Sequence, residues 1–108
     1  MTRAILIVLA LAAAAADQRQ QTFAGVITDS ECSSADHSHM RMGPTDAECV
    51  KACISEHGAS YVLYDGKNSY TLSDQKMAER FAAKKVVVAG TLDPKTKRIQ
   101  VASIKDGR

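Results

Sequence analysis

Some residue types are absent or scarce in this sequence, and their scarcity argues against certain functions. It has no tryptophan, and aromatic residues make up 5% of its 108 positions. Proteins that bind single-stranded nucleic acid stack the bases on aromatic side chains along a basic groove. The formal net charge is +2, with acidic and basic residues interspersed. We therefore expect no nucleic-acid partner.

The chain also lacks a hydrophobic run of the roughly 20 residues that a membrane-spanning helix needs. Its apolar run, I-L-I-V-L-A-L-A-A-A-A-A, covers residues 5–16 and follows a basic N-terminus. This pattern is typical of a secretory signal peptide, with Ala14 and Ala16 as the small residues of the cleavage site. The sequence predicts a signal peptide over 1–16 and a flexible start over 17–21. We expect a secreted bacterial protein, periplasmic or extracellular, that does not insert into the membrane after cleavage.

The remaining chain is long enough for one small domain. Removing sixteen of the 108 residues leaves 92, and we place the domain at residues 22–108. Alternating apolar patterns and turn residues predict five strands and two helices. The predicted strands cover 22–29, 59–65, 69–72, 84–92 and 98–105, and the predicted helices cover 45–57 and 73–82.

This order favours an OB-like fold, a five-stranded, partly open barrel with a helix between strands 3 and 4. The first helix then belongs to an insertion between strands 1 and 2. A split sandwich or an SH3-like barrel is the alternative. The apolar alternation of the last strand slips at Ile104, which predicts a bulge or a strand end there.

The first helix carries clear start and stop signals. Thr45 and Glu48 form a capping-box pattern, and Gly58 is placed to end the helix. Cys49, Cys53 and His57 follow one another at steps of four and predict a stripe along one side of this helix.

Sulfur and imidazole groups are concentrated in residues 32–57. This segment contains all three cysteines, all three histidines and two of the four methionines. Such ligands suit soft or borderline metal ions. The candidate ligands are Cys32, His37, His39, Met40, Met42, Cys49, Cys53 and His57.

The segment predicts a metal site in one of two forms. Cys49 and Cys53 with one histidine would make a three-coordinate Cu(I) site, which methionine thioethers would also suit. Adding Cys32 would make a tetrahedral Zn²⁺ site instead. The helical C-x-x-x-C pair resembles the copper-binding pair of secreted thioredoxin-like copper chaperones.

A disulfide is the alternative use of the cysteines, since an exported domain with three of them can form one bridge and keep one thiol. A Cys49–Cys53 bridge would distort the helix, because residues four apart hold their Cβ atoms at about 5–6 Å and a disulfide needs about 3.5–4.5 Å. Cys32 can reach either helical cysteine without that strain. Under this alternative, the protein is an OB-like module that is stabilised by one disulfide and binds a protein or a small ligand but no metal.

Enzymatic functions are disfavoured. No nucleophile, base and orienting group can be assembled from this chain. A thiol-redox protein is disfavoured because the cysteine pair is C-x-x-x-C and lies inside the helix rather than at its N-terminus. We expect a monomeric, non-catalytic domain whose partner is a metal ion or another protein.

Four segments together resemble a family of small secreted bacterial proteins that is known as a domain of unknown function. They read T-F-A-G-V-I-T-D-S-E-C, H-S-H-M, A-E-C-V-K-A-C and Y-V-L-Y-D-G-K-N-S-Y-T-L. The resemblance implies secretion and a compact β domain. A looser likeness is to periplasmic OB-fold copper carriers, which bind Cu(I) with one histidine, two methionines and an overlying tryptophan. Here His37, His39, Met40 and Met42 could supply the imidazole and the thioethers, whereas no tryptophan is present.

Overall fold

The computed structural model describes residues 19–38 and 40–107, so the predicted signal peptide lies outside the described residues. The described chain is mainly β, with five strands and two helices. The strands are β1 (Gln21–Asp29), β2 (Tyr61–Tyr64), β3 (Ser69–Leu72), β4 (Lys85–Asp93) and β5 (Arg98–Asp106), and the helices are α1 (Asp46–His57) and α2 (Gln75–Glu79). The predicted element order is confirmed, with α1 between β1 and β2 and α2 between β3 and β4.

The five strands form one sheet that closes into a ring in the order β1-β2-β3-β5-β4. Neighbouring strands are antiparallel except β3 and β5, which pair in parallel through Thr71 with Arg98 and Leu72 with Ile99. Ring closure gives every strand two neighbours, although β3 and β5 pair over only two residues each.

The core lies inside the ring, because alternate residues of each strand point inward. Ile27, Leu63 and Ile99 are fully buried there. Each helix adds a side chain to the same cluster, Val50 from α1 and Ala78 from α2. The buried cluster consists of Ile27, Val50, Tyr61, Leu63, Leu72, Ala78, Ala82, Val86, Val88, Ile99 and Ile104.

The predicted irregularity in the last strand is a β-bulge, and it lies two residues before the predicted position. Ala89 of β4 pairs with Ser103, whereas Gly90 pairs with Val101, so Ala102 has no partner in the β4–β5 register. Gly90 makes this close approach possible, because a Cβ there would collide with the backbone oxygen of Gln100.

The limits of α1 are those predicted. The Thr45 side chain accepts a hydrogen bond from the Glu48 backbone N–H at 3.1 Å. Gly58 ends the helix in the left-handed conformation, with φ 68°, which favours glycine.

The second helix is shorter than the predicted 73–82, and its N-cap is Asp74. It stops at Glu79 because the chain turns toward β1. The Ala83 backbone N–H donates to the Ile27 carbonyl at 2.8 Å, and Ala83 has a positive φ of 66°. Within residues 19–38 and 40–107, neither helix is long and apolar enough to cross a membrane.

Candidate metal centre

Three potential metal ligands meet where α1 packs beside the end of β1. They are Asp29, the last residue of β1, Cys32 in the turn that follows, and Cys53 in the second half of α1. One carboxylate oxygen and the two sulfur atoms all lie within 4.8 Å of one another. Asp29 and Cys53 are fully buried, and Cys32 is 7% exposed. The fold thus brings together side chains from three different segments.

A tight turn fixes Asp29 and Cys32 relative to each other. The Asp29 Oδ1 atom accepts hydrogen bonds from the backbone N–H groups of Glu31 and Cys32, both at 2.9 Å. The Thr28 hydroxyl donates to the Cys32 carbonyl, also at 2.9 Å. An aspartate that accepts from residues two and three positions ahead is a common way to build such a turn. The local sequence therefore preorganises two of the three ligands.

The same turn is tied to the rest of the domain. The Ser30 N–H donates to the Ser60 carbonyl at 2.9 Å, and the Ser60 N–H donates to the Ser30 hydroxyl at 3.0 Å. Further on, the Ser69 hydroxyl at the start of β3 donates to the Ser33 carbonyl at 2.7 Å. These bonds hold the turn against the segment after α1 and against the sheet.

The second carboxylate oxygen of Asp29 is the most informative atom of the site. Oδ2 is buried and has no hydrogen-bond partner of good geometry among the described residues, and the Cys53 thiol is close enough to interact with the carboxylate as a donor. Leaving a buried polar group unpaired costs about 1–3 kcal/mol, and more when the group is charged. A cation bound between Asp29 and the two sulfurs would give this buried carboxylate a positively charged partner.

The surroundings keep both thiols of the group protonated at neutral pH. Burial raises the pKa of Cys53 to about 12, and the nearby Asp29 carboxylate adds to that rise. Burial also raises the pKa of Cys32, again with Asp29 as the next cause. Because thiolates are the ligating form, metal binding here must release protons.

Cys49 occupies a neighbouring position with a different set of contacts. Its Sγ atom donates to the Met40 carbonyl at 3.3 Å and accepts from the Met42 backbone N–H at 3.4 Å. It is fully buried but is not one of the three grouped ligands. The sequence predicted Cys49 and Cys53 as the central pair, whereas the structure groups Cys53 with Cys32. Cys49 connects α1 to the loop before it and remains close enough to raise the pKa of both grouped cysteines.

The two methionines of the segment differ in position. The Met42 Sδ atom lies 3.8 Å from the Cys53 Sγ atom. Met40 is 39% exposed and reaches the site only through its backbone carbonyl. Met42 is therefore placed to act as a ligand, and Met40 is not.

The two described histidines, His37 and His57, are not among the grouped ligands. His37 is buried, and its Nδ1 atom has no hydrogen-bond partner in the described part of the chain. It lies close enough to Asp46 to lower the pKa of that carboxyl, after the larger effect of Arg41. His57 is exposed in the last turn of α1. His39 lies outside the described residues.

The sequence did not single out Asp29 as a candidate ligand. The available signal was its spacing, three residues before Cys32 and directly at a strand end. All three cysteines are free thiols, so the predicted disulfide is not formed in this structure. The proximity of Cys32 to Cys53 nevertheless fits the pairing of Cys32 with a helical cysteine that the sequence favoured.

Comparison with known families, characterised proteins and solved structures returns no match for this chain. The functional argument therefore depends on the geometry of the thiol and carboxylate groups.

Proposed function

We propose that this chain is an exported, non-catalytic domain that binds one Zn²⁺ ion through Asp29, Cys32 and Cys53. The observation that carries the proposal is the buried Asp29 carboxylate, which lies beside two buried sulfurs and has one oxygen without a hydrogen-bond partner among the described residues. Zn²⁺ accepts both thiolate and carboxylate ligands, usually four in tetrahedral geometry. The third thiol of the segment, Cys49, lies close enough to raise the pKa of both grouped cysteines and is a candidate for the fourth ligand.

Burial of the ligands supports a structural or carrier role. Catalytic zinc sites keep one position open to water or substrate, whereas structural sites are closed. Asp29, Cys32 and Cys53 are all buried in the fold. A bound ion would join the end of β1 to α1 and would therefore stabilise the folded domain.

The finer description of fold and location belongs to the same proposal. An OB-like architecture is supported by five ring-closed strands, one parallel pair and a helix between β3 and β4. Export is supported by the apolar, alanine-rich pattern of residues 5–16. The ion would then be acquired outside the cytoplasm.

The experiment is zinc loading of reduced protein covering residues 17–108, read out by native mass spectrometry with a competing chelator. We expect one ion per chain in the wild type, and loss of retention in Cys53→Ser and Cys32→Ser. Asp29→Asn should weaken retention, because the amide keeps the turn-forming oxygen but cannot supply the carboxylate. His57→Ala is the matched control, since His57 is exposed at the end of the same helix.

Circular dichroism would establish that each variant is folded before loading. Wild-type protein that retains no zinc would contradict the proposal. Undiminished retention in the folded Cys32→Ser and Cys53→Ser variants would contradict it equally.

A disulfide-stapled binding module is the second candidate function. It is favoured by the proximity of the Cys32 and Cys53 sulfurs, within 4.8 Å of each other. Counting free thiols in protein purified from its exported location, without reductant, separates the two. One free thiol would support the staple, and three would support the metal site.

A further inference from the structure

We propose that the same cluster binds Cu(I) through a second ligand set, in which the Met42 thioether takes the place of the Asp29 carboxylate. This inference rests on the proposed metal-binding function and adds Cu(I) as a second metal ion that the domain can bind. The sulfur ligands would be Cys32, Cys53 and Met42. Binding involves no electron transfer, since copper enters as Cu(I) and the two thiols lose their protons to solvent.

The distance between Met42 and Cys53 supports this ligand set. Sulfur ligands lie about 2.3 Å from a zinc ion. If Cu(I)–sulfur bonds are of similar length, two sulfurs on one trigonal or tetrahedral ion are about 3.8–4.0 Å apart. The Met42 Sδ and Cys53 Sγ atoms are separated by 3.8 Å. The distance between these two sulfur atoms is therefore the one expected for two ligands of the same metal ion.

The backbone around Met42 is held in place without a metal. Its N–H donates to the Cys49 Sγ atom at 3.4 Å. The preceding residue, Arg41, forms an ion pair with Asp46 at 2.7 Å, which links the loop to the first turn of α1. The Met42 side chain is partly buried, unlike that of Met40. The thioether is thus directed at Cys53 by two anchors on the same helix.

Cys53 therefore has two neighbouring ligands of different chemical character. Asp29 supplies a hard oxygen, which Zn²⁺ accepts beside thiolates, and Met42 supplies a soft thioether, which suits Cu(I). Cu(I) favours sulfur ligands, so we expect it to bind without the carboxylate. The two ions would compete for Cys32 and Cys53.

The test measures Zn²⁺ and Cu(I) affinities separately, by competition with chromophoric chelators under anaerobic, reducing conditions. Met42→Leu should lower Cu(I) affinity by about tenfold or more and leave Zn²⁺ affinity unchanged. Asp29→Asn should do the reverse. Met40→Leu is the matched control and should change neither affinity, since the Met40 side chain is exposed.

X-ray absorption at each metal edge supplies an independent readout. We expect a coordination shell of sulfur alone for copper and a mixed shell of oxygen and sulfur for zinc. The inference is overturned if Met42→Leu binds Cu(I) like the wild type, or if Asp29→Asn weakens both ions equally. Zinc binding alone, with no Cu(I) binding, overturns the inference but keeps the proposed function. Binding of neither ion overturns both.

Discussion

The interior of the sheet and the thiol cluster are both buried, but their energetics are opposite. Inside the ring, residues such as Leu63 and Ile99 are fully buried and pack in one apolar cluster. At the cluster, two raised thiol pKa values and an unpartnered carboxylate oxygen mark groups whose burial is unfavourable. The comparison teaches that apolar packing stabilises the sheet, whereas the cluster keeps a buried carboxylate oxygen without a hydrogen-bond partner among the described residues.

The largest expected effect lies on the sheet side. Leu63→Ala should reduce the free energy of unfolding by about 2–5 kcal/mol, because Leu63 is fully buried and its loss leaves a cavity. Urea denaturation with and without zinc would measure this change. The loss should be the same in both conditions, since Leu63 belongs to the apolar core. A loss of unfolding free energy that appears only in the presence of zinc would contradict the separation of the apolar core from the metal cluster.

Removal of zinc should have the next largest effect on stability, and this effect should come from the thiol cluster. Saturating zinc should stabilise the domain by about 4 kcal/mol when the free ion exceeds its dissociation constant a thousandfold. Thermal denaturation before and after chelation would measure the increment. Cys53→Ser should abolish it, and His57→Ala should preserve it. An equal increment in Cys53→Ser would show that zinc stabilises the domain from another site.

The N-cap of α1 should have a smaller effect on stability. This helix joins the two regions, because it carries Val50 of the core and Cys53 of the cluster. Thr45→Ala should cost about 1 kcal/mol, because the Glu48 N–H loses its acceptor. Thr45→Ser keeps a hydroxyl and should cost less. Chemical denaturation of the two variants side by side would test this. Equal destabilisation by serine and alanine would show that the hydroxyl is not responsible.

Alkaline pH should weaken the metal-free protein in a graded way. Cys53 has a folded-state pKa of about 12, above its ordinary value of 9.0. The folded state therefore holds this proton more tightly, so stability declines as pH rises from about 9 toward 12. Unfolding measured at increasing pH, in the presence of reductant, should show a shallower decline in Cys53→Ser. A decline of unchanged steepness would argue against a thiol buried in this way.

Local signals predicted most of the fold. The alternation of β5 indicated an irregularity, which the structure places at Ala102. The cap residues Thr45 and Gly58 predicted the limits of α1. The length of α2 could not be predicted, because it is set by the contact between Ala83 and Ile27, which are distant in sequence.

The candidate site was harder to predict because its members come from separate segments. Asp29 reads as an ordinary turn residue in sequence, and its burial depends on how α1 packs beside β1. His57 was placed on the cysteine stripe by its spacing of eight from Cys49. At 3.6 residues per turn, eight residues rotate the side chain by about 80° from that stripe. The structure accordingly leaves His57 exposed.

Cobalt substitution tests the central claim most directly, because Co²⁺ can occupy zinc sites and its absorption spectrum reports the ligands. Reduced protein covering residues 17–108 would be titrated with Co²⁺ and then with Zn²⁺. We expect thiolate-to-cobalt charge-transfer bands that saturate at one ion per chain, disappear on addition of zinc and are absent in Cys53→Ser. A titration of folded wild-type protein that develops no such bands would contradict a metal site built on Asp29, Cys32 and Cys53.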